Sequence, residues 1–478
     1  MNRQACVGAG SSRARLLCTA VLSSLALVAS ADVFAVLVVG PNVNISRAPG
    51  YQAEEATAIN PTNPLNLFAF SNNQQSGVGA GLFGATSFNG GLTWTTRLVA
   101  TGADITAACC DPSAHFDRFG NLFITYINSA INGVVVANSV NGGTTFSNVA
   151  TFAARDQPTI VTGPGTGAGT SNTWISYLGT NNLISARGAV VTGLGAIGAF
   201  SAEQSTNAGN FGDVVVGPNG RVLVTYQNPS GGVGPSTIFT NLNTTGVGGA
   251  FGAQTVATST NVGGFAPIPA QNSRTIDSEA GLGYDTSGGV HNGRLYLVYT
   301  DRATVASNDT NIFVRFSDND GASWSAPLKV NDDNTIRSQF FPKISVDPVT
   351  GDIGIFWYDA RNDPNNVKVQ LFGSVSFDGG LSFVANQLIS QGSSDSTLVA
   401  NGNQFGDYIG LTSWNDVWYP TWGDNSNSTG DNPDATRNFD FYTARVQFVR
   451  APVPEPATLA LLGLGLAGLA FSRRRKQA

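Results

Sequence analysis

Acidic residues recur in this chain just before short alternating runs of apolar residues. Glu54, Asp111 and Glu279 each open such a run, and the related segments Asn210-Phe-Gly-Asp213 and Gln404-Phe-Gly-Asp407 contribute Asp213 and Asp407. Carboxyl groups brought together from these positions would repel one another, raise each other's pKa values, or hold a divalent cation. No motif fixes a cofactor, and Ca²⁺ is the one that these acids could hold. The alternative is that each acid is solvated and stabilises its own turn.

Two further pairs of charged residues follow apolar runs that contain aromatic side chains. Asp301 and Arg302 stand in Tyr-Thr-Asp-Arg, and Asp359 and Arg361 stand in Trp-Tyr-Asp-Ala-Arg. An arginine at such a place could clamp a ligand carboxylate through two parallel hydrogen bonds. It could equally pair with the neighbouring aspartate and fix the loop. Both roles stay open at this point.

The elements that must position these residues are short β-strands. Of 478 residues, 42% are hydrophobic and 12% charged, and the chain contains 57 Gly and 21 Pro, which is typical of a turn-rich folded protein. Alternating runs such as Asn121 to Tyr126 and Arg294 to Tyr299 return between clusters of Gly, Asn, Asp and Pro. Long amphipathic helical patterns are absent from the sequence. We therefore predict an all-β fold.

An eight-residue pattern occurs four times, with Ser first, Asp or Asn third, Gly fifth and an aromatic residue last. The short Asx side chain can accept backbone N–H groups across a tight turn, Gly supplies a positive φ, and the aromatic ring folds beneath the hairpin. The pattern is therefore structural. Its first, third and last residues are Ser87, Asn89 and Trp94; Ser139, Asn141 and Phe146; Ser317, Asn319 and Trp324; and Ser376, Asp378 and Phe383.

This pattern resembles the Asp-box, or BNR repeat, of sialidase-like β-propellers, although three copies carry Asn where Asp is the family norm. The copies start 52, 178 and 59 residues apart, so the long gap should contain two degenerate units. Seven units with a mean spacing of about 58 residues would fill the chain. We predict seven four-stranded blades, with six as the alternative because sialidases have six. The units open near Glu54, Asp111, Asp156, Phe211, Glu279, Phe341 and Phe405.

Ring closure needs a strand from each end of the propeller. The run from Val33 to Val39 has no partner in the first unit, and the last unit, ending in Phe439 to Val449, lacks a fourth strand. Pairing these two segments would remove both open sheet edges. The propeller is thus assigned to residues 32–452.

The resemblance implies a fold more firmly than it implies an activity. Sialidases use three arginines on the substrate carboxylate, a Tyr nucleophile with a Glu partner, and an Asp acid. The closest match to their first arginine motif is Ser46-Arg47-Ala48-Pro49, which keeps only Arg and Pro, and the other members have no matching motif. We therefore expect a binding or scaffold protein with carbohydrate as a candidate ligand. The alternative is a glycoside hydrolase that uses the acids described above.

Both ends of the chain resemble export signals. Residues 1–31 combine Arg3, Arg13 and Arg15 with an apolar run and a closing Ala29-Ser30-Ala31, which predicts a secretory signal peptide with a short helix. A permanent membrane anchor is the alternative.

Residues 453–478 contain Pro454, Glu455 and Pro456, then an apolar run that predicts a short helix, then a basic cluster. This order resembles the PEP-CTERM sorting signal of Gram-negative bacteria, which an exosortase is thought to process. The expected partners are thus an exosortase, the secretion machinery, a membrane contacted through this segment, and extracellular polysaccharide. The expected location is the cell envelope, its surface or the extracellular matrix. An ordinary single-span anchor is the alternative.

Without these two ends the net charge would be about −12. So acidic a protein is a poor partner for nucleic acid. Cys109 and Cys110, adjacent in an oxidising compartment, could form a vicinal disulfide, remain buried thiols or bind a metal.

Overall fold

The computed structural model describes residues 35–75, 79–399 and 402–450. Leu37–Val449 form one compact unit. The helices expected for the signal peptide and for the C-terminal segment fall outside the described residues. Within those residues, no helix is both long enough and apolar enough to cross a membrane.

The unit is an all-β propeller of seven four-stranded blades, as the sequence predicts. Each blade is an antiparallel sheet that begins with an inner strand beside the central channel. The inner strands of blades 1 to 7 are Ala56–Ile59, Ala108–Phe116, Asp156–Pro164, Asn210–Val216, Gly281–Tyr284, Gln339–Val346 and Gly410–Trp414. The second strands are Leu67–Ser71, Leu122–Asn128, Ser171–Leu178, Val222–Asn228, Leu295–Arg302, Ile353–Asp359 and Val417–Asp424.

The third and outer strands complete each sheet on the side away from the channel. The third strands are Leu82–Ser87, Gly133–Ser139, Leu183–Gly193, Ser236–Asn243, Thr310–Ser317, Lys368–Ser376 and, in blade 7, Asp440–Thr443 continued by Val446–Arg450. The outer strands of blades 1 to 6 are Thr95–Val99, Ser147–Ala153, Ala196–Ile197 with Gln204–Ala208, Thr255–Thr260, Leu328–Lys329, and Gln387–Leu388 with Ser394–Asp395. Short 3-10 turns occupy Pro218–Gly220 and Ser396–Leu398.

The ring closes through the N-terminal part of the chain. Val43–Asn44 pairs with Asp440–Thr443, and Ala35–Val39 pairs with Val446–Arg450. The N-terminal segment thus supplies the outer strand of blade 7. The predicted closure is confirmed for the described residues, while Val33 and Phe34 lie outside them. Closure leaves neither end of the ring as an open sheet edge.

The hydrophobic core lies between neighbouring blades. Phe68 of blade 1 and Leu122 of blade 2 belong to one buried cluster, and Leu223 of blade 4 packs with Leu297 of blade 5 in another. A single blade would expose both apolar faces to water, so each blade depends on its neighbours for stability.

The four repeat hairpins, residues 87–94, 139–146, 317–324 and 376–383, share one set of hydrogen bonds. The opening Ser hydroxyl accepts the fifth residue's N–H, and the Asx side chain accepts the seventh residue's N–H. Each hairpin also contacts the preceding blade: Asn66 of blade 1 donates to the Gly142 carbonyl, and Arg294 of blade 5 donates to the Gly379 carbonyl. At Gly143, with φ of +95°, a Cβ atom would lie 2.7 Å from the Phe68 ring. The hairpins therefore fix one blade to the next.

Candidate functional site

A cavity of about 580 Å³ runs along the propeller axis. Residues of all seven inner strands line it, so it is the central channel of the ring. We call the end where the inner strands begin the acidic end. The other end, where these strands finish and the repeat hairpins lie, is the hairpin end.

At the acidic end, six of the seven inner strands have a residue in the left-handed backbone region, either just before the strand or within its first four residues. Pairing with the second strand becomes regular two residues later. A positive φ is uncommon for residues with a side chain and is retained where the surrounding structure enforces it. In blade 7, Tyr408 holds the corresponding place, two residues before Gly410. The six residues are Glu54 (φ 59°), Asp111 (57°), Gln157 (43°), Phe211 (56°), Glu279 (42°) and Phe341 (51°).

Arg274 links two carboxyl groups at this end. Its Nε lies 2.8 Å from Oδ1 of Asp407, its Nη2 contacts Oδ2 of the same residue, and Nη2 lies 3.5 Å from Oε1 of Glu54. The other Glu54 oxygen accepts a hydrogen bond from Asn72. Two of the predicted acids are therefore brought together, with a guanidinium group of the protein itself between them.

Arg274 belongs to residues 266–276, which we call the cross-ring segment. It contains a two-stranded hairpin, Ala266–Ile268 with Gln271–Ile276, inserted between blades 4 and 5. Gln404, next to blade 7, accepts hydrogen bonds from the N–H groups of Ser273 and Arg274, and Gln271 donates to the Gly406 carbonyl. Since blade 6 separates blades 5 and 7, the segment must span the acidic end of the channel.

Burial raises the pKa values of the acids at this end. Asp111 is raised to about 8, first by burial and then by the charges of Asp156 and Asp407. Glu279 is also raised to about 8 by burial, against the opposing effect of Lys343. The pKa of Glu54 is raised well above its usual value by burial and by Asp407. Near neutral pH these three groups therefore hold protons to a degree unusual for carboxyl groups.

Tyr408 lies among the same acids. Its hydroxyl donates to the Pro112 carbonyl of blade 2 at 3.3 Å, so the side chain reaches past blade 1. Burial and the charges of Glu54, Asp111, Asp407 and Glu279 raise its pKa. Tyr408 also lines the cavity, so it lies between the channel and the acid cluster.

Asp213 lies deeper in the channel than these groups. Its Oδ1 accepts the Val214 N–H at 2.8 Å and its Oδ2 accepts the Leu282 N–H at 2.9 Å. Leu282 belongs to the inner strand of blade 5, so this carboxylate joins blades 4 and 5. It contributes charge to the channel while making structural hydrogen bonds.

The two charged pairs near the ends of second strands bind groups of the protein itself. Arg302 is buried and donates to the carbonyls of Asn261, Ser307 and Val233, not to the Asp301 carboxylate. Asp301 instead accepts the N–H groups of Asn261 and Arg302.

Arg361, by contrast, forms an ion pair with its neighbouring aspartate. Its guanidinium lies 2.8 Å from Asp359 and 2.7 Å from Asp332, and it packs over the Phe372 ring. Asp359 also accepts the indole N–H of Trp357. Arg302 and Arg361 therefore both direct their N–H groups at atoms of the protein itself.

Cys109 and Cys110 are joined by a disulfide bond next to Asp111. Across residues 35–75, 79–399 and 402–450, no three or more His, Cys, Asp or Glu side chains are arranged to hold a metal ion. The Ca²⁺ hypothesis therefore has no site in this part of the chain.

Comparisons with known proteins bear on the C-terminus and on the fold. Residues 452–476 match the PEP-CTERM protein-sorting motif, which implies processing by an exosortase and indicates export to the envelope or exterior of a Gram-negative bacterium. No curated protein sequence matches the chain.

Several solved structures are similar at low identity. A Dyadobacter fermentans protein of unknown function has 11% identity and a TM-score of 0.47, covering 86% of this chain and 99% of its own. The phage phi92 endosialidase has 11% identity and a TM-score of 0.45, covering 86% and 70%. The Aleuria aurantia lectin, solved with alpha-methyl-L-fucoside, has 14% identity and a TM-score of 0.42, covering 70% and 97%. These values are too low to support an argument about function.

The sequence reasoning missed three residues of this candidate site: Arg274, Tyr408 and Lys343. Lys343 stands two residues after Phe341, as Asp213 stands two residues after Phe211. Aligning the seven inner strands residue by residue would have placed Lys343 and Tyr408 in the channel. No local pattern marks Arg274, because its partners Asp407 and Glu54 both lie more than 130 residues away in the sequence.

Proposed function

We propose that this protein is an exported carbohydrate-binding protein of the cell envelope or extracellular matrix, and that its ligand binds in the central channel. The observation that carries this proposal is the cavity of about 580 Å³ along the axis. Its size is within the range of small-ligand sites, about 300–1,000 Å³.

The lining of the cavity suits a sugar. Phe116, Tyr284 and Trp414 border the cavity, with the half-buried Trp414 the most exposed of the three, and the half-buried Thr159 and Thr412 add hydroxyl groups. Aromatic residues with a polar atom pack against the apolar face of a ligand while leaving its polar groups hydrogen bonded. A saccharide has both kinds of surface.

A glycoside hydrolase is the second candidate, and the acidic end is what favours it. Asp111, with a pKa of about 8, is a proton donor at neutral pH, and Asp407 lies close enough to influence it. Glycoside hydrolysis requires two carboxyl groups about 5–9.5 Å apart on either side of the scissile bond. Arg274 stands between Glu54 and Asp407, which supports binding over hydrolysis.

The test is to measure binding and turnover on the exported protein with a panel of oligosaccharides. We expect saturable binding, by calorimetry, without release of reducing ends. Turnover that disappears in Asp111→Asn or Asp407→Asn would favour the hydrolase. Absence of binding to every saccharide would contradict the proposed function.

We also propose that the sorting segment holds the protein at the membrane until it is processed. Deleting Val453 to Ala478 should then move the protein from the cell fraction to the medium, because the apolar run from Ala457 to Phe471 would be lost. Fractionation followed by immunoblotting measures this. If the truncated protein stays with the membrane fraction, another part of the chain must hold it.

A further inference from the structure

We propose that the ligand of the central channel is a saccharide carrying a single carboxylate, and that the Lys343 ammonium binds this carboxylate inside the cavity. This inference rests on the proposed function and specifies its ligand. It starts from a side chain whose behaviour differs from that of its counterparts in other blades.

Lys343 shares its place in the inner strand with Ser113, Thr159 and Asp213. Each of these four is the residue at which regular pairing with the second strand resumes. Ser113 accepts the Ile160 N–H, Thr159 donates to the Gly212 carbonyl, and Asp213 accepts the Leu282 N–H. Three of the four side chains thus hydrogen bond the inner strand of the next blade.

The fourth, Lys343, makes no hydrogen bond and no ion pair within the part of the chain that the structure describes. It is half-buried and lines the cavity. Its ammonium group is not among the unpartnered atoms that the fold buries, so it is open to the channel, and a ligand anion would give it the partner that the protein does not. Lys343 is therefore the group in this channel with which a ligand anion would pair.

The charge around Lys343 favours a monoanion. Glu279 interacts with it electrostatically, and Asp213 carries a carboxylate in the same part of the channel. A phosphate monoester would bring close to two negative charges to these acids, whereas a carboxylate brings one. One ammonium matched to one carboxylate leaves the rest of the cavity for hydroxyls and apolar ring faces.

The hairpin end provides the route into the channel. The acidic end is spanned by the cross-ring segment. At the hairpin end Arg118 is exposed, lies 5.6 Å from the Phe119 ring centre and has no ion pair within the described residues. The half-buried Trp414 lines the cavity at the same end, and its indole N–H makes no hydrogen bond within the described residues.

Acids at the hairpin end do not oppose an incoming anion strongly. Asp117, Asp285 and Asp347 are at most 1% exposed, and each accepts backbone N–H groups of its own turn. Lys343 lies four residues before Asp347, or about 13 Å along an extended strand. A ligand would thus place its carboxylate deep in the channel and its next sugar beside Trp414.

The experiment titrates the full exported protein with D-glucuronate and, as the neutral match, D-glucose, by calorimetry at pH 7 in low salt. We expect glucuronate to bind at least tenfold more tightly than glucose. Lys343→Met should remove this preference, whereas Lys343→Arg should retain it. Lys368→Met, which changes an exposed lysine of the same blade, serves as the matched control and should leave both affinities unchanged.

The outcomes separate the two proposals. If glucose and glucuronate bind equally to the unaltered protein, the carboxylate inference is wrong while carbohydrate binding stands. If a folded Lys343→Met variant keeps the preference, Lys343 is not the group that binds the carboxylate. If neither sugar nor any longer saccharide binds, the proposed function fails and this inference fails with it. Because the first comparison needs no variant, poor folding of Lys343→Met would not prevent the test.

Discussion

The two ends of the channel use the same acidic residue types in opposite ways. At the acidic end, Glu54 is buried and Asp111 half-buried, both on left-handed backbone beneath a segment that crosses the ring. At the hairpin end, Asp378 lies in a tight turn, with Oδ1 accepting N–H groups from Leu381 and Ser382. At the acidic end the carboxyl groups are poorly solvated, whereas at the hairpin end the Asp378 carboxylate accepts several hydrogen bonds.

This difference shows why an Asp or Glu in a motif does not reveal its chemistry by itself. Burial tends to raise the pKa of both Asp378 and Asp111. At Asp378, hydrogen bonds from the Ser382 hydroxyl and from the backbone outweigh this effect, so the pKa of Asp378 is lowered. The pKa of Asp111 is raised to about 8 because burial and two neighbouring acids dominate there. Donors favour the charged form, whereas burial without donors favours the neutral one.

The largest expected effect is at the hairpin end. Trp324 closes a repeat hairpin and packs against a buried cluster that joins blades 4 and 5. Trp324→Ala should lower the free energy of unfolding by about 3 kcal/mol, the low end for a buried aromatic because the ring is only partly buried. Chemical denaturation measures this. Sugar binding per folded molecule should not change.

The matched control is Leu92→Ala in the repeat hairpin of blade 1. Leu92 is 73% exposed, so its replacement should change stability by less than about 0.5 kcal/mol. A Trp324→Ala variant as stable as Leu92→Ala would contradict the view that the closing aromatic residues fix one blade to the next.

The second prediction concerns pH and the acidic end. Asp111 and Glu279 have pKa values of about 8 in the folded protein, above those of about 4 expected when the chain is unfolded. The folded state therefore binds more protons between these values, so the stability that these groups contribute is lost as pH rises from about 4 to about 8. Denaturation at pH 5 and pH 8 should differ by about 2 kcal/mol or more, with lower stability at pH 8.

Asp111→Asn should reduce that difference, because Asn does not titrate. Asp378→Asn, which changes the hairpin end, should leave it unchanged. Equal pH dependence in the unaltered protein and in Asp111→Asn would mean that other groups account for the loss.

Arg274 provides a third test. Arg274→Ala leaves Glu54 and Asp407 without their shared cation and should cost about 1–2 kcal/mol, a reduced figure because solvent screens the guanidinium, which is 38% exposed. The cost should grow as pH rises and Glu54, whose pKa burial raises, loses its proton. Arg47→Ala, which breaks a pair whose arginine is 61% exposed, should cost no more than about 1 kcal/mol. Equal losses in the two variants would show that the cross-ring segment holds its place without this contact.

Local sequence patterns were enough for the fold. Ser376, Asp378 and Phe383 fall within eight residues, so the turn that they form follows from neighbours along the chain. Seven blades followed from the spacing of such units, and closure followed from one unmatched strand at each end. These inferences depend on short-range geometry and counting.

The site depended on contacts between distant segments, and there the sequence was insufficient. Arg302 binds the carbonyls of Asn261 and Val233, which no motif links to it. Lys343 forms no hydrogen bond or ion pair among the described residues, although its counterparts Ser113 and Thr159 bond the next blade, and Arg274 reaches Asp407 across the ring. Such pairings are fixed by the arrangement of blades, so a residue's type and neighbours do not reveal them.

The smallest expected effect comes from Asp378→Asn. Three repeat hairpins already carry Asn at this place, and Asn89, Asn141 and Asn319 accept the same backbone N–H as Asp378 does. The substitution should therefore change stability at pH 7 by less than about 0.5 kcal/mol. The effect of the substitution should appear in acid, because the pKa of Asp378 is lowered in the folded protein. The stability that the Asp378 carboxylate contributes is present above its unfolded pKa of about 4 and is lost as pH falls through its folded pKa. Denaturation between pH 5 and pH 2 should show a shallower loss for Asp378→Asn than for the unaltered protein. If the variant instead loses stability at pH 7 while its acid profile is unchanged, the carboxylate has a role in this hairpin that an amide cannot fill.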